Sequence, residues 1–346
     1  MTKIQLNLNG NAYMGWKTLS VVRSVETLAG RFEVEMTDKK PIPVPRGGAV
    51  ELLLYDNTVI TGFTDSLALD TDATTNTLSI SGRDKTGDLV DCSALVKSQE
   101  MLNVTLRDIV EAVVEPFGIA ALFEVDPPEL FKKFSFQEET VFEAIERACR
   151  LRGVLATSTP TGEVIIQKYG QKRAGAGLTM GENILSAKAV YNDADRFSVY
   201  KVYGQQSGDD DTSAEAATTP NGEARDLAIN RYRPKIIIAE GNVDSGIAQD
   251  RAEWEAAIRA ARSVSIEVTV PGWTTDEGET TLWRENTLVR TKIPQHGVDG
   301  DMLIKEVSYT LDDKSGEKAR LVLVRPDAYE KQPDIEKEEA DPDGNG

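Results

Sequence analysis

The sequence predicts an α+β fold that is mostly β, in which two barrel-like β domains flank a small inserted α+β domain. Three observations lead to this prediction. Short apolar strand candidates separated by turn residues fill the first hundred residues, helical periodicity begins near Met101, and a strictly alternating strand begins at Val264. Strands at this short spacing are typical of barrels and sandwiches rather than of alternating βαβ units.

The first barrel-like β domain, residues 1–95, contains six strand candidates. They cover residues 18–25, 31–36, 50–55, 59–63, 66–70 and 77–81. Asp56-Asn57 is a turn dipeptide between two of these candidates, and it predicts a hairpin. Pro41, Pro43 and Pro45 predict an extended connector, because proline lacks an amide donor and its φ angle is fixed.

Residues 96–170 are predicted to form the inserted α+β domain. Its first helix is indicated by apolar residues at helical spacing, namely Leu106, Ile109, Val110, Val113, Val114 and Phe117. Each of its two helices is expected to begin at a threonine that is followed three residues later by an acid, and to end at a glycine. These residues are Thr105, Asp108 and Gly118 for the first helix, and Thr140, Glu143 and Gly153 for the second.

Residues 171–328 are predicted to form the second barrel-like β domain, with an acidic loop near 207–226 and a helix near 247–262. Its strand candidates cover residues 185–203, 235–239, 264–270, 288–293, 303–311 and 320–325. Residues 329–346 are predicted to be an acidic, flexible tail. We interpret the loop and the tail as solvated segments, because their charge density opposes burial.

The two β domains share an internal similarity in sequence. Leu67-Ala68-Leu69-Asp70 is followed by an acidic turn and by Leu78-Ser79-Ile80, and Tyr309-Thr310-Leu311-Asp312 is followed by an acidic turn and by Leu321-Val322-Leu323. A repeated pattern of this kind predicts two similar structural units within one chain, although hairpins with acidic turns have much of it in common.

Charge limits the classes of function that the chain can have. It carries 39 lysines and arginines against 57 acids, a net charge of −18. A duplex-DNA binder needs clustered cations to displace counterions, so this class is disfavoured. No apolar run reaches the roughly 18 residues of a membrane span, and the opening residues MTKIQLNLNG contain no secretory signal.

Few residues are available for catalysis or metal binding. The chain contains one histidine, His296, in a predicted turn, and two cysteines, Cys92 and Cys149. A zinc site usually needs several such ligands, and a histidine-dependent nucleophile could use His296 alone. Residues 70–76 lack the glycine and glutamate of a calcium loop, and residues 81–88 lack the spacing of a phosphate loop. We therefore predict no catalytic residue, no metal and no cofactor.

Two further functions stay open, together with one set of candidate contact residues. Two carboxylates about 5–10 Å apart could serve as the acid and base of a glycan hydrolase, and the many acids of this chain single out no pair. A carbohydrate- or receptor-binding module is the other alternative. Because tryptophan is enriched in interface hot spots, we predict Trp254, Trp273 and Trp283 as interface residues.

Several segments, taken in order, resemble the baseplate hub family of contractile phage tails. This family includes the hub of phage Mu, the late-control tail proteins and the N-terminal part of the type VI secretion spike. The matching segments are residues 22–26, 28–32, 59–63, 81–91, 286–289 with Trp283, 302–304 and 321–328. The similarity covers most of residues 1–328, is close for the Mu member, and has its most specific segment at residues 81–91.

The resemblance implies a structural protein and not an enzyme. Members of this family are homotrimers in which each subunit contributes two barrel-like domains to a pseudo-sixfold ring. Such a ring is a symmetry adaptor between the sixfold tail tube and the central spike, and DNA passes through its channel without specific binding. The resemblance also implies a late protein that is made in the host cytoplasm and built into the virion tail baseplate.

Overall fold

The computed structural model describes residues 4–39, 47–96, 98–205, 221–242, 245–275 and 281–329. Over these residues the chain forms two compact units, one within Met1–Ala189 and Ile266–Pro326 and the other within Val190–Ser265 and Asp327–Gly346. The three prolines of the predicted connector, and most of the predicted acidic loop and tail, lie outside the described residues. Among the helices that are described, none has both the length and the apolar composition that a membrane span requires.

The first part of the chain is a run of strands, because apolar and polar residues alternate along most of it. The strands are β1 (Ile4–Leu8), β2 (Asn11–Tyr13), β3 (Thr18–Ser24), β4 (Arg31–Asp38), β5 (Ala49–Leu54), β6 (Asn57–Thr71) and β7 (Asn76–Asp84), followed by helix α1 (Gly87–Asp91). The predicted hairpin is present, but its turn lies one residue earlier than the predicted Asp56-Asn57. Tyr55 and Asp56 occupy the turn at φ angles of 48° and 63°, and Asn57 is the first residue of β6. The fourth and fifth strand candidates are one continuous strand, β6.

The helices and short strands that follow enclose a hydrophobic core of their own. They are β8 (Glu100–Val104), α2 (Leu106–Val114), β9 (Ala121–Phe123), β10 (Phe131–Ser135), α3 (Val141–Arg152), β11 (Leu155–Ser158) and β12 (Val164–Gln167). Both predicted helix starts are confirmed as capping boxes, at Thr105 and at Thr140. The glycine stop of the second helix is confirmed at Gly153, which is left-handed with a φ angle of 61°. The first helix ends earlier than predicted, at Val114, and Gly118, left-handed with a φ angle of 64°, instead ends the 3₁₀ turn Glu115–Phe117 that follows it.

The remaining chain forms ten strands and one long helix in the described residues. They are β13 (Lys172–Arg173), β14 (Leu178–Thr179), β15 (Ser186–Tyr191), β16 (Val199–Gln205), β17 (Asn221–Arg225), β18 (Pro234–Asn242), α4 (Ser245–Arg262), β19 (Val264–Pro271), β20 (Thr287–Ile293), β21 (Val298–Asp312) and β22 (Gly316–Val324). The prediction of one strand over residues 185–203 is wrong. The Asn192 side chain accepts a hydrogen bond from the Ala194 amide and starts a 3₁₀ turn, which separates β15 from β16.

Fourteen of the described strands form one sheet in the order β15-β19-β22-β21-β3-β4-β7-β6-β5-β1-β2, with β20 beside β21, and β13 and β14 beside β20. The expectation of two barrel-like domains is therefore corrected, because these strands form one open sheet rather than closed barrels. The reason is a direct pairing between the two β regions. Residues 306–311 of β21 pair antiparallel with residues 19–24 of β3.

The sheet nevertheless contains the same arrangement twice. The strand order β3-β4-β7-β6-β5 is repeated as β15-β19-β22-β21-β20. In both copies a 15-residue strand is followed by a 9-residue strand, and the long strand has a bulge, at Asp65 in β6 and at Lys305 in β21. The predicted internal similarity is present, but its register is shifted by two residues. The bulges align Ser66 with Glu306, so that Asp70 corresponds to Thr310 and not to Asp312.

The second compact unit is a three-stranded sheet with a helix. Its strand order is β17-β16-β18, with β17 antiparallel and β18 parallel to β16. Helix α4 packs on this sheet through a small core of Val202, Ala248 and Ala252. Strand β17 lies inside the predicted acidic loop, so the end of that segment is ordered in the sheet.

Candidate assembly site

A buried arginine joins both β regions to the α+β region. Arg23 on β3 is 3% exposed. Its Nε donates to Oε1 of Glu285 at 2.8 Å, and its Nη1 lies 3.7 Å from Oδ2 of Asp84. The same guanidinium donates to the main-chain oxygens of Val59 on β6 and Ser158 on β11. One side chain therefore holds together segments that are far apart in sequence.

Asp84 is the second centre of this cluster, and both of its oxygens are used. Oδ2 accepts from the Gly30 amide at 2.8 Å and from the Ser158 hydroxyl at 2.5 Å. Oδ1 accepts from the amide and the hydroxyl of Thr86, at 3.0 and 2.5 Å. A buried carboxylate needs such partners to offset its lost hydration. The segment 81–88, which was considered as a phosphate loop, is thus a structural junction.

The charges of the cluster stabilise one another. Burial, the largest single influence, raises the pKa of Glu285, but the Arg23 charge, the hydrogen bond from Arg23 and smaller contributions together hold that pKa below its ordinary 4.5. Burial likewise disfavours the charged Arg23, yet Glu285 and Asp84 raise the pKa of Arg23 above its ordinary value. Oε2 of Glu285 is buried without a hydrogen-bond partner in the described part of the chain. The cluster therefore depends on Arg23, because removal of one member of a buried ion pair leaves the other uncompensated.

The neighbouring Arg83 makes a second, partly exposed junction. It pairs with the bulge residue Asp65 at 2.8 Å and with Asp91 of α1 at 2.6 Å. These hydrogen bonds, that to Asp91 first, raise the pKa of Arg83 above its ordinary value. Gly82, which precedes it, lies so close to β6 that an added Cβ would be 2.1 Å from the Phe63 carbonyl oxygen. The Gly82-Arg83-Asp84 sequence thus fixes the hairpin bulge, α1 and the buried cluster together.

Two of the three predicted interface tryptophans lie inside the first unit. Trp273 is 0% and Trp283 is 2% exposed. Nε1 of Trp273 donates to the Thr310 carbonyl at 3.0 Å, and the Trp283 carbonyl accepts from the Tyr309 hydroxyl. Both rings pack within their own chain, which leaves almost no ring surface for a partner. Their burial does not support a role in an interface, and that role stays a prediction.

Trp254 on α4 is the predicted interface residue with surface to offer. Its ring is half-buried, and the Arg251 guanidinium lies 5.0 Å from the ring centre. It borders a small surface pocket that Ile258, Arg259 and Arg262 also line. An aromatic ring beside arginines is a common composition for a contact surface, and the interface role of Trp254 stays a prediction.

The residues considered for metal binding or histidine chemistry are not brought together. His296 lies in the turn that was predicted for it, with Nε2 at 3.3 Å from the Ala187 carbonyl oxygen. Cys92 is exposed and Cys149 is buried, and burial raises the pKa of the Cys149 thiol. The described ranges contain no group of three or more histidine, cysteine or acidic side chains that could hold a metal ion.

The carboxyl groups of the described residues show no sign of a general acid. Every one with a resolved shift has a lowered pKa. A glycan hydrolase needs one carboxyl group with a raised pKa so that it is protonated when the bond breaks. None of the resolved shifts is therefore the raised pKa that the acid of a hydrolase pair requires.

Sequence reasoning missed the Arg23–Glu285 pair. A signal for Arg23 was available, because Leu19, Val21 and Arg23 occupy alternate positions of one strand and hence one face. An arginine on an otherwise apolar, buried face predicts a buried ion partner. Glu285 has no such signal, since it lies just before a strand in a stretch without periodicity.

Models of baseplate protein families match three parts of the chain. Residues 3–84 match the Mu phage baseplate assembly protein GpP-like N-terminal domain. Residues 86–168 match the second domain of the baseplate hub protein gp44-like family. Residues 244–332 match the fourth domain of the Mu phage baseplate assembly protein GpP.

Comparison with whole proteins gives the same result. The chain is 33% identical to the baseplate hub protein gp44 of Escherichia phage Mu over 340 residues, which cover 94% of this chain and 88% of that protein. The 43 kDa tail protein of prophage MuSo2 from Shewanella oneidensis is 34% identical, with a TM-score of 0.83 and coverage of 94% and 99%. The tail protein from Neisseria meningitidis MC58 is 22% identical, with a TM-score of 0.79 and coverage of 96% and 98%, which shows a shared fold.

Proposed function

The chain belongs to the phage Mu baseplate hub family, and from this premise we propose that three copies form the hub ring of a contractile tail. In this proposal the ring lies in the virion baseplate, where it connects the tail tube to the central spike. Its role is structural, and no substrate is turned over. The chain is made in the host cytoplasm before it assembles.

The observation that carries this proposal is the strand order that occurs twice in one chain. Each chain contains two five-stranded arrangements with the same strand order, and in both the long hairpin has strands of 15 and 9 residues and a bulge in the longer strand. Three copies around an axis therefore present six similar units. A ring of that kind is threefold in its chains and nearly sixfold in its structure, which is what an adaptor between a sixfold tube and a threefold spike requires.

The proposed domain organisation follows the sequence prediction. Residues 1–95 and 171–328 carry the two repeated arrangements, and residues 96–170 form an α+β domain between them. The matches to the family models meet about ten residues before the proposed boundary between residues 95 and 96, because the first ends at residue 84 and the second begins at 86. Limited proteolysis of the purified chain tests these boundaries through the sites of first cleavage.

The charge of the chain suits a channel through which DNA passes. The net charge is −18, and acids lie at both hairpin turns, Asp72 in one and Asp312 with Asp313 in the other. Acids on the inner wall repel phosphate, so that DNA slides past without binding. A cryo-electron microscopy map of the assembled ring tests this proposal, and a wall lined with lysine and arginine contradicts it.

Sedimentation of the purified chain at micromolar concentration, combined with electron microscopy, tests the ring itself. We expect trimers and threefold ring images, either alone or after addition of the spike protein. A stable dimer contradicts the proposal. Clearing of peptidoglycan in a zymogram would favour the hydrolase instead, and specific binding on a glycan array would favour the carbohydrate-binding module.

A further inference from the structure

Two strand edges of the 14-stranded sheet have no neighbouring strand among the described residues, and we call them the open edges. Residues 66–71 of β6 pair with β7 on one side, and no other described strand pairs with them. Strand β15 pairs with β19 and with no other strand in the described ranges. Leu69 on the first open edge is 56% exposed, and Leu185 next to the second is 55% exposed. Unpaired edges with apolar residues are templates for pairing with another chain.

The repeated strand order tells which strands correspond to the open edges. Strand β6 corresponds to β21, and β15 corresponds to β3. Within the chain these two counterparts pair with each other, residues 306–311 with residues 19–24. The pairing covers β21, where Val307 and Tyr309 are both 0% exposed. The pairing of β21 with β3 therefore shows how the edge of a β6-type strand can pair with a β15-type strand.

Hydrogen bonds fix the residue-by-residue correspondence between β3 and β15. The Lys17 amide donates to the Glu35 carbonyl at 2.8 Å, and the Leu185 amide donates to the Thr269 carbonyl at 2.8 Å. The next strand pair along the sheet agrees with this alignment. Asp38 of β4 lies opposite Asn76 of β7, and in the second arrangement the amide of Gly272, which follows β19, donates to the carbonyl of Glu317 on β22. Gly272 therefore corresponds to Asp38, and Glu317 corresponds to Asn76. Lys17 therefore corresponds to Leu185, and Ser20 corresponds to Lys188.

We propose that residues 66–71 of one copy pair antiparallel with β15 of a second copy, in the register that β21 and β3 use within the chain. This inference rests on the proposed function only in requiring neighbouring copies. The intrachain pair Thr310 and Ser20 becomes Asp70 opposite Lys188.

The charges of the two open edges match in this register, although the register was derived without them. Asp70 and Lys188 are both exposed, and neither is part of an ion pair among the described residues. Opposite charges directly across an antiparallel pair stabilise it. The apolar residues match as well, because Leu69 lies opposite Ala189, as Tyr309 lies opposite Val21 within the chain. A concave surface lined by Asp65, Ser66, Leu67 and Leu69 borders the same edge.

This pairing joins unlike edges of two copies, so that every copy uses one edge and offers the other. Such a head-to-tail contact closes into a ring when the rotation between copies divides a full turn. Addition of a strand from one chain to the sheet of another is a known mode of protein recognition. The sheets of neighbouring copies would then join into one sheet around the ring, and both open edges of every copy would be covered.

A disulfide between copies tests the register. In a Cys92→Ser background, we expect Asp70→Cys with Lys188→Cys to form covalent multimers up to a trimer under mild oxidation. Thr310→Cys with Ser20→Cys is the matched control and should cross-link within one chain, without a change in mass. Asp70→Cys with Ser186→Cys is out of register and should cross-link far less. A trimer without the in-register cross-link overturns the strand pairing and leaves the ring intact, whereas a chain that stays monomeric at all concentrations overturns both.

Charge reversal gives a second readout. We expect Asp70→Lys and Lys188→Asp each to weaken association by about two- to fivefold per contact, and the combined variant to recover wild-type association. Asp313→Lys, an exposed acid at the turn of the other hairpin, is the control and should leave association unchanged. Equal effects of all three single variants would mean that net charge acts, and would contradict the specific pair.

Discussion

The hairpins β6–β7 and β21–β22 have the same strand lengths, the same bulge and the same turn chemistry, yet they differ in burial. Tyr309 of the second hairpin is 0% exposed, and its hydroxyl donates to the Trp283 carbonyl. Leu69, at the corresponding position of the first hairpin, is 56% exposed. The cause is the neighbour, because β3 covers the edge of β21 while the corresponding edge of β6 is open. Burial in a repeated unit is therefore set by the strand beside it as much as by its own sequence.

The largest loss of stability is expected from substitution of Arg23. This residue lies on β3, the strand that covers the edge of β21. Its counterpart on β15 is Tyr191, so the second arrangement has a tyrosine at the position where the first has the central arginine of its ion cluster. Arg23→Met removes the cation and leaves Asp84 and Glu285 as buried charges without it, which should lower the free energy of unfolding by about 3–5 kcal/mol. Urea denaturation followed by circular dichroism measures this loss.

Arg83→Met is the matched control for that experiment. Arg83 also bridges two acids, but its side chain is 30% exposed, and a pair of this kind contributes about 0–1 kcal/mol. If the two variants lower the free energy of unfolding equally, the buried Arg23 cluster stabilises the fold no more than the partly exposed Arg83 junction. That result would contradict the prediction.

A reciprocal exchange of side chains between the hairpins should have the next largest effect. Tyr309→Leu removes a buried ring and the hydroxyl that satisfies the Trp283 carbonyl, at a cost of about 2–4 kcal/mol. Leu69→Tyr enlarges an exposed side chain and should change stability by less than about 0.5 kcal/mol. Both are measured by urea denaturation at a dilution where the chain is monomeric. A large loss for Leu69→Tyr under these conditions would show that the open edge is covered within the chain itself.

The smallest loss of stability is expected from substitutions at the two hairpin turns. The turn aspartates, Asp72 and Asp312, should contribute to stability in the same way. Oδ1 of Asp72 accepts from the Thr74 and Thr75 amides, and Oδ1 of Asp312 accepts from two amides in the same way. Hydrogen bonds, from the Thr75 hydroxyl first for Asp72 and from the backbone for Asp312, hold the pKa of both groups below the ordinary 3.8.

A lowered folded-state pKa means that the ionised carboxylate stabilises the fold above pH 3.8, and that this contribution is lost as the pH falls towards the lower, folded-state pKa. The difference in Tm between the wild type and Asp72→Ala should therefore shrink below about pH 4, and the same should hold for Asp312→Ala. Thermal scans from pH 7 to pH 2.5 measure both. If the Tm difference depends on pH for one of the two variants and not for the other, the two turns differ and the prediction is contradicted.

The features that sequence predicts well here depend on neighbours in the chain. Thr105 and Thr140 were predicted as helix starts because a cap and its partner lie three residues apart. The internal similarity was visible, but its register was displaced, because Asp70 was aligned with Asp312, whereas Asp72 is the residue that accepts the turn amides in the first hairpin as Asp312 does in the second. Trp273 and Trp283 were predicted as interface residues from their residue type, whereas their burial is decided by segments distant in sequence, such as Tyr309 and Thr310 of β21.

The pairing of β3 with β21 has a consequence for synthesis of the chain. It joins residues 19–24 to residues 306–311, so an early segment leaves the ribosome long before its neighbour exists. Until then β3 has an exposed edge, and the Arg23 guanidinium is without Glu285. Contacts of such high sequence separation form slowly, and exposed edges aggregate. The nascent chain is therefore expected to depend on chaperones until translation is nearly complete.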